Sequence, residues 1–315
     1  MIRLQHSKTK SEFTLWSEYK NQKKKGKFKM AIQVKNWIND NRKVIAQRGM
    51  FRVIEHQKDL SVSSGSAQRA YFASEMNVKL RQVEIALDGS KTVKTQAGAM
   101  QMMVGNVEMN TGVKSAKGFF GAMVKAAVTN ETAVKPEYCG NGQIILEPTY
   151  KHIILQDVAE WGNGGLVIED GMFLASEGSV THSVVENTQS LGTALVSGEG
   201  LYNLCFTGSG VVALESHVPF EELIEYTLEN DVLKVDGNMA VCWSGSLNFS
   251  VEKATKSFIG SMASGEGLVN VYRGSGKVWV SPVAGTTDSA PKTMSSSQNS
   301  TKEASSGSLL GSLFG

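Results

Sequence analysis

The sequence predicts an all-β protein in which one β unit is used three times. The first observation behind this is a repeat. Val196–Ser216, VSGEGLYNLCFTGSGVVALES, returns at Ala263–Ser281 as ASGEGLVNVYRGSGKVWVS, and more weakly at Thr132–Glu147 as TAVKPEYCGNGQIILE. Each copy has an alternating stretch, a Gly-x-Gly step and a second β-branched run. The second observation is that each step has an upstream partner line. These lines are Ala97-Gly98-Ala99-Met100 with Gly105-Asn106-Val107, Asp170-Gly171-Met172-Phe173 with Gly178-Ser179-Val180, and Asp236-Gly237-Asn238-Met239 with Gly245-Ser246-Leu247. Gly171 to Gly208 and Gly237 to Gly274 each span 37 positions, while Gly98 to Gly140 spans 42, so the first copy carries an insertion of 5. Starts at 98, 171 and 237 are too far apart for a solenoid repeat and suit a small unit of several strands.

Glycine supplies the positive φ that tight turns need. Gly98, Gly171 and Gly237, and the pairs Gly140/Gly142, Gly208/Gly210 and Gly274/Gly276, are therefore expected at hairpin turns. Asp-Gly at 88–89, 170–171 and 236–237 is a further hairpin signal. Many short strands separated by such turns indicate a sandwich or barrel.

The lines GAMQMMVGNVEMNTG, DGMFLASEGSV, GEGLYNLCFTGSG and GEGLVNVYRGSGKVWV resemble the altered-inheritance-of-mitochondria protein 24 family, which occurs in bacteria as well as mitochondria. The resemblance runs from about Met76 to Pro282. It implies a fold like that of the tryptophan RNA-binding attenuation protein. That fold has three quasi-equivalent sandwich units, each a shortened double-stranded β-helix, around a pseudo-threefold axis. The family brings no agreed activity and no catalytic residues to carry over.

In chain order, residues 1–29 hold nine Lys or Arg against Glu12 and Glu18, a net of +7; the whole chain is +2, so the remainder is about −5. This reads as a solvated, disordered extension, with a nucleic-acid or anionic-lipid arm as the alternative. Lys25-Gly26-Lys27 before Met30 is also what a purine-rich ribosome-binding sequence would encode, which would make the extension non-native. It has no apolar h-region and so is not a secretory signal. Residues 30–77 are expected to cover an edge or end of the core, with strands at Ala31–Val34 and Met50–Glu55 and a short helix at Ser64–Met76. Residues 78–283 hold the three units, divided as 78–148, 149–216 and 217–283. Val78–Leu87 alternates into the Asp88-Gly89 turn. Residues 284–315 read as a disordered tail with an apolar end, Leu309-Leu310-Gly311-Ser312-Leu313-Phe314.

Three apolar, glycine-containing segments precede the Gly-x-Gly strands. They carry Phe119, Phe120 and Met123, then Leu191 and Leu195, then Phe258, Ile259 and Met262. The first of them, Val113–Thr129, has helical spacing. Under a threefold arrangement they would emerge at one end as an apolar patch, and such patches on soluble proteins mark a partner or membrane surface.

Reactive chemistry is hard to find. Cys139, Cys205 and Cys242 stand alone, with the latter two in strand-like runs where a buried thiol is the default. An odd count without a signal peptide indicates reduced thiols. His6, His56, His152, His182 and His217 show no metal-ligand spacing. Gly162-Asn163-Gly164-Gly165 lacks the Lys-Ser/Thr of a phosphate loop and reads as a hairpin loop. Glu221, Glu222 and Glu225 read as a solvated acidic turn, and Glu199 and Glu266 as turn residues. No catalytic residue, metal or cofactor is expected. The net-acidic core argues against nucleic acid. At 41% hydrophobic and 20% charged, with no run of about 18 apolar residues, the composition is that of a soluble globular protein.

The expectation is a non-enzymatic scaffold, cytoplasmic or membrane-peripheral and homo-oligomeric, that docks an unknown protein partner or a membrane surface through the apolar end. The alternative is a small-ligand-binding module with a pocket between repeats or subunits.

Overall fold

A computed structural model describes residues 32–112, 135–186, 202–236, 239–253 and 268–283. All of these fall within the unit Met1–Gly285; the remainder, Thr286–Gly315, lies outside the described residues. The protein is mostly β. In chain order the strands are β1 (Arg42–Arg48), β2 (Phe51–His56), β3 (Arg81–Asp88), β4 (Val93–Thr95), β5 (Met100–Asn110), β6 (Glu137–Leu146), β7 (His152–Asp157), β8 (Leu166–Ile168), β9 (Phe173–Glu177), β10 (Thr181–Glu186), β11 (Tyr202–Thr207), β12 (Val211–Ser216), β13 (Ile224–Asp236), β14 (Ala240–Ser244), β15 (Asn248–Lys253) and β16 (Leu268–Val280). The helix α1 (Ala67–Glu75) begins one residue after Ser66 and buries none of its residues.

The strands form two sheets. One runs β1-β2-β3-β6-β4-β9-β12-β7, with β5 on β6; the other runs β10-β11-β8-β14-β16-β13, with β15 on β16. Side chains alternate across a strand, and the central strands β9 and β14 are buried on both sides, whereas β5 and β13 expose most of theirs. Between the sheets, Ile154, Phe173 and Leu214 of the first pack with Leu166, Phe206 and Trp279 of the second. A second cluster gathers Phe51, Val83, Ile85, Ile144 and Leu146, and a third gathers Val167, Leu228, Trp243, Tyr272 and Val278. Each such side chain contributes about 1.5–3 kcal/mol on burial.

The N-terminal hairpin joins the first sheet: β2 pairs β3 antiparallel, with Val53 opposite Val83. Its outer strand was not expected. The run RKVIAQR is too charged and too weakly alternating to announce β1, and its pairing with β2 forms it. Conversely, no strand forms at Ile32–Val34, where Ile32 and Val34 are exposed; Ala31 lies outside the described residues.

The Gly-x-Gly steps are not hairpin turns. β6 and β16 run straight through Gly140–Gly142 and Gly274–Gly276, and β11 and β12 on either side of Gly208–Gly210 pair other strands rather than each other. Close approach of backbone explains the residue type. A Cβ on Gly140, which has φ +109°, would lie 2.2 Å from Asn106 O, and one on Gly142 would lie 2.0 Å from Val104 O. The step lets β6 twist while β5 stays paired on both sides of it. Similarly, Gly162–Gly165 joins strands of different sheets, so it is not a hairpin loop.

Hairpins also join β5 to β6, β10 to β11 and β15 to β16. Their last described pairs are Asn110↔Glu137, Glu186↔Tyr202 and Lys253↔Leu268. The apolar residues Phe119, Phe120, Met123, Leu191, Leu195, Phe258, Ile259 and Met262 fall in the connections beyond these pairs. They lie outside the described residues, as does Gly237.

Candidate functional site

The nine-stranded sheet curls until its two end strands, β1 and β7, face each other without pairing. Arg48 of β1 reaches across, donating from Nη1 to Leu155 O at 3.5 Å and forming an ion pair with Glu160. Beside this seam lies a groove of about 670 Å3. Its residues come from six stretches far apart in sequence. Ile45–Arg48 lie on β1, Glu55 on β2, Asn77 between α1 and β3, and Arg81 at the start of β3. His152–Gln156 lie on β7, Glu160 and Trp161 in the 3-10 turn Val158–Trp161 that follows it, and Pro219–Glu221 before β13. Glu225, Lys277 and Trp279 complete it from β13 and β16.

Three aromatic rings form a shelf. Trp161 meets Trp279 edge-to-face with centroids 4.9 Å apart, and Phe220 meets Trp279 at 5.2 Å. The two tryptophans are buried, whereas Phe220 is 53% exposed. Trp279 is fixed by its Nε1 donating to Glu225 Oε2 at 2.8 Å, and Glu225 also faces Lys277 Nζ at 3.6 Å. The Nε1 of Trp161 is buried and has no hydrogen-bond partner among the described residues.

The polar end is built on Arg81, whose guanidinium is almost fully buried. It donates to Glu55 Oε2 from Nε at 3.0 Å, and to the carbonyls of Asn77 at 3.1 Å, Lys79 at 3.3 Å and Tyr150 at 3.5 Å. His152 sits nearby. Burial first, then the Arg81 charge, holds its imidazole below the ordinary histidine value and favours the neutral ring. At the other end Gln156 Nε2 donates to Glu160 Oε2 at 2.5 Å.

Among the described residues lining the groove there is no hydroxyl and no thiol. The carboxylates Glu55, Glu160 and Glu225 are each engaged by a cation. The arrangement suits holding a molecule with a flat apolar part, with hydrogen-bonding groups at either end. Elsewhere, Cys205 and Cys242 are buried and burial raises both thiol pKa values, while Cys139 is exposed. His182 lies between Phe173 and Phe206, each at 5.0 Å, with Nε2 2.8 Å from Ser176 Oγ. Burial pushes it down to about 3, so it is a neutral core histidine. Among the described residues no group of three His, Cys, Asp or Glu converges as a metal site.

The sequence-expected docking residues lie outside the described residues. The glycines Gly98, Gly171, Gly140, Gly208, Gly210 and Gly274 all adopt positive φ. His152, Glu221 and Glu225 were noticed in the sequence, but for other reasons. Trp161, Phe220 and Trp279 carried no local signal, because the fold alone brings them together.

A family model described as mitochondrial biogenesis AIM24 matches residues 72–283. The chain belongs to the AIM24 family. An uncharacterized protein of Streptococcus pyogenes serotype M6 is 28% identical over 238 residues, covering 73% of this chain and 92% of the relative. A Streptococcus pyogenes protein of known crystal structure is 24% identical with a TM-score of 0.48, covering 65% of this chain and 88% of that one. The AIM24 match begins within α1 and so leaves out β1 and β2, which supply one side of the groove. Among the described residues of this AIM24 chain, no helix is long and apolar enough to cross a membrane.

Proposed function

We propose that the protein is a non-enzymatic binding module whose ligand is a small molecule, or an exposed group of one, with a planar apolar part. The supporting observation is the aromatic shelf of Trp161, Trp279 and Phe220 opening on a preformed groove about 670 Å3 in size. That size lies in the range of about 300–1,000 Å3 usual for small-molecule sites. The lining, without hydroxyl or thiol and with three of its four carboxylates held by cations, favours binding over chemistry. The probe for testing this is 8-anilinonaphthalene-1-sulfonate, an anion with a planar naphthalene ring. It is expected to bind saturably, and Phe220→Ser is expected to weaken binding about tenfold, the equivalent of about 1.4 kcal/mol, without changing the melting temperature. Binding that is unsaturable, or indifferent to Phe220→Ser, would refute the assignment.

We further read the chain as three equivalent units around a pseudo-threefold axis. What supports this is a recurring pattern of pairing. The residue two before the first glycine of each step lies opposite a matching residue of another strand: Tyr138 opposite Val93, Phe206 opposite Leu166, and Tyr272 opposite Leu233. The residue two after the second glycine does the same: Ile144 opposite Met103, Val212 opposite Ser176, and Val278 opposite Trp243.

That pattern favours a second, compatible reading, in which the apolar connections dock the protein on a membrane. All three connections leave from matching hairpins, β5–β6, β10–β11 and β15–β16. The full chain is then expected to co-sediment with anionic phospholipid vesicles. The combined variant Phe119→Ser, Phe120→Ser, Phe258→Ser, Ile259→Ser is expected to remain in the supernatant while staying folded. If the wild-type chain stays in the supernatant, the membrane reading is wrong.

A further inference from the structure

Asparagine followed by glycine occurs twice in the chain, at Asn141-Gly142 and Asn163-Gly164. Such a pair carries a reaction of its own. The main-chain nitrogen after an asparagine attacks the side-chain carbonyl carbon and closes a five-membered ring. Glycine, with no Cβ, leaves that nitrogen least hindered. The fold decides whether the ring closes, because the nitrogen must be free of a hydrogen bond and the chain must have room to bend.

The two pairs stand in opposite surroundings. Asn141 and Gly142 lie inside β6 with ladder partners on both edges. Asn141 is opposite Asp88 of β3 and Asn106 of β5, and Gly142 is opposite Leu87 and Gly105. The Asn141 side chain is half-buried, with its Oδ1 shielded from water and close against Gly89, where a Cβ would lie 2.7 Å from it. Ring closure there requires both ladders to part.

Asn163 and Gly164 are instead the two central residues of a turn between the 3-10 turn Val158–Trp161 and β8. Gly165 N donates to Gly162 O at 3.0 Å and closes the turn. In a turn closed this way the amide of the third residue has no acceptor within the turn. Among the described residues, Gly164 N donates to no backbone carbonyl. Asn163 is exposed. The fold also keeps a glycine at 164, since a Cβ there would lie 2.2 Å from Ser246 N and 2.6 Å from Gly245 C. The connection between β14 and β15 therefore demands the residue type that makes Asn163 reactive.

We propose that Asn163 is a site of spontaneous deamidation and isoaspartate formation in the folded protein, and that Asn141 is not. Gly164 N bonds to Asn163 Cγ, and Nδ2 leaves as ammonia, taking the proton of the Gly164 amide. A cyclic imide remains, with Gly164 N bonded to both carbonyl carbons of residue 163. Water adds to one of them and breaks its bond to that nitrogen. Opening at Cγ gives aspartate, and opening at the main-chain carbonyl gives isoaspartate. Water is the only co-reactant. Either product sets a carboxylate two residues after Trp161, and isoaspartate adds one carbon to the main chain of the turn. The proposal stands whether or not the groove holds a ligand.

The test is incubation of the folded full chain in warm, mildly alkaline buffer, followed at intervals by digestion and mass spectrometry. Cleavage after glutamate puts each asparagine in its own peptide, residues 138–160 for Asn141 and 161–169 for Asn163. The 161–169 peptide is expected to gain one mass unit and to separate into two products. One of them is expected to accept a methyl group from an isoaspartyl methyltransferase. The 138–160 peptide is expected to change at least about a hundredfold more slowly, because a strand paired on both edges must open first. In urea, with the fold lost, the two are expected to convert at similar rates. A folded chain in which Asn163 stays intact would overturn the proposal. So would Asn141 converting as fast as Asn163 in the folded chain, or rates that stay apart in urea.

Discussion

Replacing Arg81 with alanine is expected to destabilise the protein by about 3–5 kcal/mol, the usual consequence of removing one member of a buried ion pair. Arg81 is 1% exposed and Glu55 is 8% exposed. The carboxylate would keep only Lys79 Nζ at 3.4 Å and Gln57 Nε2 at 3.2 Å. The carbonyls of Asn77, Lys79 and Tyr150 would each lose a donor, at smaller cost, because Asn77 and Tyr150 are exposed and water can take the donor's place. Total stabilities are about 5–15 kcal/mol, so the loss is a large share of the fold. Equilibrium denaturation with urea measures it. The double variant Arg81→Met, Glu55→Leu is expected to recover most of the loss, since it removes both charges at once. If Arg81→Ala were near neutral, the guanidinium would not be the organiser of this end of the groove.

Gly140→Ala is expected to cost about 2–6 kcal/mol. Two terms contribute. A side chain at φ +109° is strained, at about 1–3 kcal/mol, and its Cβ would be driven against Asn106 O of β5, at about 1–3 kcal/mol. Gly98→Ala is the matched control. Gly98 also has positive φ, at +80°, but a Cβ there meets nothing within 4 Å, so only strain of about 1–2 kcal/mol applies. Urea midpoints of the two variants should therefore differ clearly. Equal midpoints would mean that the β5–β6 ladder can part at little cost, and that the Gly-x-Gly step is not needed for close approach.

The same contrast explains what the sequence could and could not disclose. The runs Gln143–Glu147, Val211–Glu215 and Lys277–Val280 are short and rich in β-branched and apolar residues, so strands were legible there. The glycines between them were legible as special positions but not as to their role, because a hairpin turn and a strand twisted against a close neighbour ask for the same residue type. β1 was illegible because its charged, poorly alternating sequence becomes a strand only against β2. The groove was illegible for a different reason. Trp161 and Trp279 stand more than a hundred positions apart, and the curl of the sheets brings the 3-10 turn after β7 against β16. Arg81 and Glu55 gave no warning either, since 26 residues and a helix separate them.

The central claim is that the aromatic shelf receives a planar ligand. It is tested most directly by 19F NMR of the full chain labelled with 5-fluorotryptophan and titrated with 8-anilinonaphthalene-1-sulfonate, with signals assigned by single Trp→Phe variants. The resonances of Trp161 and Trp279 are expected to move along one saturable curve. Those of Trp37, bonded to Glu84, and Trp243, packed on Phe249 and Tyr272, are expected to stay in place. Probe fluorescence that rises while the Trp161 and Trp279 signals remain still would place binding elsewhere and contradict the account.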